Sequence, residues 1–243
     1  MLFIIQLTEC SITSQHYILY YNQTFLGVAV YNPYMIASQK TIRMATTHLS
    51  SHDPILAKVI LKYGQCTIKP HNNYYRELVS SIISQQLSVK AAATIEDRFI
   101  QLFGDKNAFP SPAEIMKKST EEIRSAGISN AKAGYIRDLA LNIIDGRLKL
   151  YHLDNLSNED IIKELTVVNG IGEWTVHMFL IFSIGRLDVL ATGDLGIKNG
   201  IKKLYNLDHT PSTEEMQQLA ETNGWHPYES VACWYIWQSL DNK

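Results

Sequence analysis

Excess positive charge is missing from this sequence. Its 22 Lys and Arg are outweighed by 24 Asp and Glu, for a formal net charge of −2. That excludes a protein whose whole surface is basic, so any grip on a polyanion must come from a local set of donors. Cysteine is scarce as well: Cys10, Cys66 and Cys233 are far apart and odd in number. They make neither a disulfide framework nor a zinc site, and they cannot supply the four thiolates of an iron–sulfur cluster. Isolated buried thiols in a reducing compartment are the expectation. No apolar run approaches the roughly 20 residues of a membrane span. The opening Met1-Leu2-Phe3-Ile4-Ile5 lacks the basic flank and long apolar core of a secretion signal. Long repeats, low-complexity tracts and histidines at metal-ligand spacing are absent too. With 46% hydrophobic residues, the chain can still bury a sizeable core. Composition alone suits a cytosolic enzyme acting on small molecules.

What is present reads as helix. Residues 1–43 stand apart, rich in Tyr, Ile, Gln, Asn and Thr, with only Glu9, Lys40 and Arg43 charged. The run Phe25 to Val30 suits short strands, so this extension forms a hairpin or lies disordered. The main domain is expected to start at Met44 and run to residue 243. From about Ser51 helix signals recur. Apolar positions 78, 79, 82, 83 and 87 mark one face of a helix from Arg76 to Leu87. Ser88 caps the next, which stops at Gly104. Ser111-Pro112-Ala113-Glu114 and Ser119-Thr120-Glu121-Glu122 are capping boxes. Asn130 is placed to cap a helix whose inner side carries Tyr135, Ile136, Leu139, Ala140, Ile143 and Ile144. Ser157 opens another. Glu173 to Ile184 should be a buried helix, and Leu195–Leu204, Thr213–Glu221 and Tyr228–Leu240 complete an all-α fold.

Between two of these helices lies Val168-Asn169-Gly170-Ile171-Gly172-Glu173-Trp174-Thr175. Glycine permits the positive φ of a tight hairpin and lets a ligand approach the backbone. The amides of Gly170 and Gly172 would then point outward at a helix start, which is a ready anion site. Ile171 would pin the turn to the core. Such contacts read phosphate rather than base identity and need little net charge. A lone Gly-Ile-Gly more often just turns a corner; the apolar helices on both sides favour the phosphate reading here. Asp194, in Gly193-Asp194-Leu195-Gly196, lies 22 residues after Gly172. It reads either as a helix N-cap or as a catalytic carboxylate, and the two roles can coexist.

Leu165 to Thr175 resembles the helix-hairpin-helix of the HhH-GPD DNA glycosylase superfamily, whose signature adds a Gly/Pro-rich loop and a catalytic aspartate. Ser81 to Ala92, Gly127 to Ala133, and Trp225 to Ser230 with Trp234 and Trp237 resemble further family segments. The similarity covers about residues 52–240, and the nearest branch resembles the 3-methyladenine DNA glycosylase II group. The resemblance implies a two-lobed helical fold with a DNA cleft. It also implies hydrolysis of the N-glycosidic bond of alkylated purines, such as 3-methyladenine and 7-methylguanine, in duplex DNA.

By the same resemblance Asp194 is the catalytic carboxylate, and Trp174 and Tyr228 wall the base pocket, with Met178 on the same side; core packing is the alternative reading of the two aromatics. Gln86 and Leu87 lie where the family inserts a wedge into the stack. The DNA-binding set is Gln85, Gln86, Leu87, Ser88, Asn169, Gly170, Ile171, Gly172, Thr175 and Lys198, with Lys202 and Lys203 either beside Lys198 on phosphates or simply solvated. His177 reads as a packed residue rather than a base. Trp174 stands where strand-cutting relatives carry a nucleophilic lysine, so a monofunctional enzyme without lyase activity is expected. No cofactor is required by this reading. A structural Na or K ion could sit on the backbone carbonyls of Thr166, Val168 and Ile171. The partner is double-stranded DNA with a damaged base, with no membrane and the protein a monomer, cytoplasmic in a bacterium or nuclear in a eukaryote.

Three departures stand out. Asn169 replaces a common proline or lysine, Leu187 and Ala191 replace prolines, and Glu229 replaces a usual arginine. Three rival readings remain at this point: a glycosylase for another lesion, a non-catalytic DNA-binding module, and a metabolic enzyme without DNA.

Overall fold

The computed structural model describes residues 21–25, 28–31, 34–104 and 108–240. Two compact units divide at Pro33 and Tyr34. In the first, β1 (Tyr21–Phe25) and β2 (Val28–Tyr31) pair antiparallel, with Phe25 opposite Val28 and a bulge between Tyr21 and Thr24. The apolar run at 25–30 therefore holds the end of one strand and most of the next. Cys10 lies outside the described residues.

The second unit is helical. It starts at Tyr34, and the expected boundary at Met44 falls inside α1 (Gln39–His52). Ser38 caps α1 through a box completed by Thr41, and Thr41, Ile42, Ala45 and Leu49 form its buried face. The box uses Thr rather than Glu, and the helix is rich in weak helix formers, which hid it in the sequence. There follow α2 (Pro54–Tyr63), α3 (Tyr74–Ser84), α4 (Val89–Gln101), α5 (Pro112–Lys117), α6 (Thr120–Arg124), α7 (Asn130–Ile144) and α8 (Asn158–Leu165). Next are α9 (Glu173–Phe179), α10 (Leu195–Leu204), α11 (Thr213–Thr222) and α12 (Glu229–Leu240). Both predicted Ser-x-x-Glu boxes form, at Ser111 and Ser119. At α7 the cap is Ser129, with Asn130 already the first helical residue. The helix expected to run to Ile184 changes at Leu180 into a π-helical turn ending at Gly185.

The helices pack in two groups. One joins α1, α2, α10 and α12; the other joins α3 to α7, with α9 against α3 and α8. In the first group α10 meets α12 at a glycine: a methyl on Gly200 would lie 2.3 Å from Ile236 Cγ2. The far end of α10 is held by Asp53, a fully buried carboxylate. Its Oδ1 caps α2 through the N–H groups of Ile55 and Leu56 (2.8 and 2.9 Å). Its Oδ2 accepts from the Tyr205 hydroxyl and from Trp225 Nε1. Cys66 and Cys233 are buried free thiols, each pushed up to about 12 by desolvation. Among the described residues no helix is long and apolar enough to cross a membrane.

Candidate active site and DNA interface

The segment between the π turn and α10 carries Asp194 to its place. Leu187, Val189 and Ala191 are buried at alternate positions, as in an extended strand covered on one side. α12 holds this segment: Ser230 N–H donates to the Leu187 carbonyl (2.9 Å), and Val189 N–H donates to Ser230 Oγ (3.1 Å). Burial and these bonds give the rigidity that prolines would otherwise give at 187 and 191.

Asp194 is the N-cap of α10, and three donors hold it. Oδ1 accepts from Ile197 N–H (2.8 Å) and Trp237 Nε1 (2.9 Å), and Oδ2 accepts from Trp174 Nε1 (2.8 Å). A carboxylate offers about four acceptor positions, so one on Oδ2 stays available. Gly196 makes this possible. A methyl there would come within 2.9 Å of Asp194 Oδ1 and 3.2 Å of the Trp237 indole. Trp237, on α12 and beside Phe182 with ring centroids 5.7 Å apart, was not among the expected site residues. Its partner lies 43 positions away, and no local pattern announces such a pairing.

Trp174 is 45% exposed, an unusual cost for an indole unless something covers it in use. Met178 is partly buried one turn further along α9. Tyr228 departs from expectation. It is only 6% exposed, and its ring meets His48 edge-on at 5.0 Å, so it presents little face to a base. The signal that misled was aromatic identity near a family motif, which says nothing of orientation. His177 is 8% exposed, and burial holds it below the usual histidine range, as a packed residue should be. Glu229 is mostly buried, with Oε1 3.0 Å from His226 Nδ1; burial pushes its carboxyl above the usual range. A side chain tucked in this way is poorly placed to meet a DNA backbone.

The hairpin is built as its glycines suggest, but the two differ. Gly170 has φ +83°, and a methyl there would lie 2.1 Å from the Tyr135 ring. Gly172 has an ordinary φ of −94° and open space around it. Among the described residues nothing approaches a methyl placed at 172. Ile171 is buried and pins the turn. Helices α1 to α8, α10 and α11 are capped by Ser, Asn or Asp side chains; α9 starts at Gly172 with no side-chain cap. No side chain caps its first N–H groups.

Two expected DNA contacts are limited by the structure. The backbone N–H and Nδ2 of Asn169 both donate to Asp138 Oδ2 (2.8 and 2.9 Å). The Thr175 side chain is buried, which leaves its backbone N–H. Near the hairpin Gln85 ends α3, Gln86 takes a left-handed φ of 57°, and Ser88 caps α4. Leu87, next in the chain, is 39% exposed. Gln85 Nε2 donates to the Gly170 carbonyl (2.8 Å), so the two loops touch. Lys198 is partly exposed on α10, four residues past Asp194.

Residues 79–224 match the family model described as HhH-GPD superfamily base excision DNA repair protein. The chain belongs to this superfamily. Within it, the chain is 32% identical over 199 residues to the alkylbase DNA glycosidase-like protein mag2 of Schizosaccharomyces pombe, covering 81% of this chain and 92% of that one. A solved structure of a DNA-3-methyladenine glycosidase from Bacillus halodurans superposes with TM-score 0.71 at 37% identity, covering 82% of this chain and 89% of the other. The S. pombe 3-methyladenine DNA glycosylase Mag1, solved with abasic DNA, gives TM-score 0.71 at 34% identity, over 80% and 95% of the two chains.

The contrast between the glycines is testable. Gly170→Ala should lose at least about 2 kcal/mol of stability, from the left-handed backbone and the Tyr135 overlap. Gly172→Ala should cost under about 1 kcal/mol, a cap-level effect, yet weaken duplex binding about tenfold or more. Urea melts and fluorescence anisotropy on one duplex check both. Equal stability losses, or unchanged binding by Gly172→Ala, would contradict the assignment.

Proposed function

We propose that this chain is a monofunctional DNA glycosylase that hydrolyses the N-glycosidic bond of alkylated purines in duplex DNA and leaves an abasic site for base excision repair. The observation that carries the reading is Asp194. It is a carboxylate fixed by two indole N–H groups and one backbone N–H, beside an exposed tryptophan and a short segment from a phosphate-type hairpin.

The chemistry follows from charge. An alkylated purine is cationic, so it leaves with little acid help, and the sugar gains oxocarbenium character as the bond stretches. A carboxylate about 4 Å away stabilises that charge by roughly 4 kcal/mol at an effective dielectric near 20. The open acceptor position on Oδ2 suits an attacking water, which the same carboxylate can orient or deprotonate. Trp174 offers its face to the cationic base at about 0.5–2 kcal/mol, with Met178 along the same wall. The Nε1 bond to Asp194 sets the plane of that ring, so base and carboxylate are positioned together. Leu87 and Gln86 fill the space that the flipped base vacates. A tryptophan at 174 cannot form a Schiff base, so strand cleavage is not expected.

The hairpin also suits a monovalent cation. The carbonyls of Thr166, Val168 and Ile171 are hard oxygen donors, and that of Val168 accepts one N–H, from Ile171 (3.1 Å), keeping its second lone pair. Na or K bound there would stiffen the turn next to a phosphate and take no part in bond cleavage.

The test is release of free base by the purified protein from duplex DNA containing 3-methyladenine or 7-methylguanine. Base release with an intact abasic strand supports the proposal. Tight duplex binding without release from any alkylated purine would point instead to a DNA-binding module or another lesion.

A further inference from the structure

We propose that one edge of α7 is a spacer that locks the wedge loop and the hairpin into a single grip, with Lys132, Tyr135 and Asp138 as positioning residues. This inference rests on the glycosylase reading above. Residues three apart are neighbours on a helix surface, and each of these three is so spaced from the next. Lys132 Nζ donates to the carbonyls of Ile83 (2.8 Å) and Gln85 (2.6 Å), at the end of α3 where the wedge loop begins. These carbonyls lack partners within the helix, and a cation suits the negative end of its dipole. One turn on, the Tyr135 ring lies against Gly170 so closely that no side chain fits there. A further turn on, Asp138 Oδ2 takes both Asn169 donors. Asn142 Nδ2 donates to the other carboxylate oxygen of Asp138 (3.3 Å) and holds it in place. The Gln85 bond to the Gly170 carbonyl closes the circuit.

The consequence is mechanical. A phosphate held at the hairpin and a side chain inserted at the lesion act on one duplex, so their separation must match the DNA. A misplacement of about 1 Å can cost on the order of a hundredfold in such a system. None of the three residues reaches the reacting atoms; they act through Leu87 and the hairpin amides.

The experiment uses the full chain carrying Asp194→Asn, to prevent turnover. It is bound to a duplex with 7-methylguanine and a neighbouring 2-aminopurine, whose fluorescence rises when the stack opens. At saturating protein, Lys132→Met and Asp138→Ala should each cut the rise at least fivefold. Lys132→Arg, which keeps the donors, should stay within twofold. A purely structural role would lower the melting temperature but leave the saturated signal of the folded, bound protein unchanged. If those variants do not fold, Lys132→Gln, which shortens the donor at a partly exposed site, must show the same loss. Variants that saturate at the unmodified signal overturn the proposal. If the Asp194→Asn protein itself binds without any rise, or does not bind, the glycosylase reading fails and the positioning role with it.

Discussion

Asp194→Asn should lower base release from methylated duplex DNA by several hundredfold or more, while the protein stays folded and still binds DNA. The loss follows from removing about 4 kcal/mol of charge stabilisation, equivalent to roughly a thousandfold in rate. Folding should survive because asparagine is as good an N-cap as aspartate, so the Ile197 N–H keeps its acceptor. The amide must, however, turn its NH2 toward Trp174, because Oδ1 serves both Ile197 and Trp237. One indole bond is lost, at a cost of about 1–3 kcal/mol. Alanine would be a poorer probe, since it strips the cap and both indole bonds together. Single-turnover base release and DNA anisotropy on the same preparation separate chemistry from binding. A rate within tenfold of the unmodified protein would remove Asp194 from the catalytic role and leave it as a helix cap.

The parts of this site that the sequence shows are those written in short spacing. The Gly-Ile-Gly hairpin, the Ser-x-x-Glu boxes at 111 and 119 and the start of α10 at Leu195 depend on neighbours within four residues, and all form. What stayed hidden depends on long-range pairing. Trp237 reaches Asp194, Asp138 reaches Asn169, and Lys132 reaches the end of α3 across tens of residues. The burial of Tyr228 was hidden for the related reason that residue type does not tell which way a ring points. The π turn after Phe179 was also invisible, because the apolar pattern is continuous through Ile184. The start of α1 ahead of Met44 is hard to read because the helix has no acidic first turn and a threonine closes its box.

Asp53→Ala should strongly destabilise the helical unit. The carboxylate has no exposure and serves four donors from three places in the chain. Alanine removes the α2 cap, worth about 1 kcal/mol. It also strands the Tyr205 hydroxyl and the Trp225 N–H in the core, at about 1–3 kcal/mol each. The sum, roughly 3–7 kcal/mol, is comparable to the whole stability of many domains, about 5–15 kcal/mol. Asparagine separates the contributions. It keeps the cap and nearly the same volume, and the Tyr205 hydroxyl can rotate to accept from its NH2, but the Trp225 N–H, a donor only, loses its carboxylate acceptor. Asp53→Asn should therefore lose only about 1–3 kcal/mol. Because Asp53 grips one end of α10 and Asp194 caps the other, the folded fraction of Asp53→Asn should still release base at near the normal rate. Urea melts followed by tryptophan fluorescence measure the stabilities. A loss below about 1 kcal/mol for alanine would mean that the buried carboxylate is not the pin described here. Normal stability with slowed chemistry would instead mean that the far end of α10 tunes Asp194 directly.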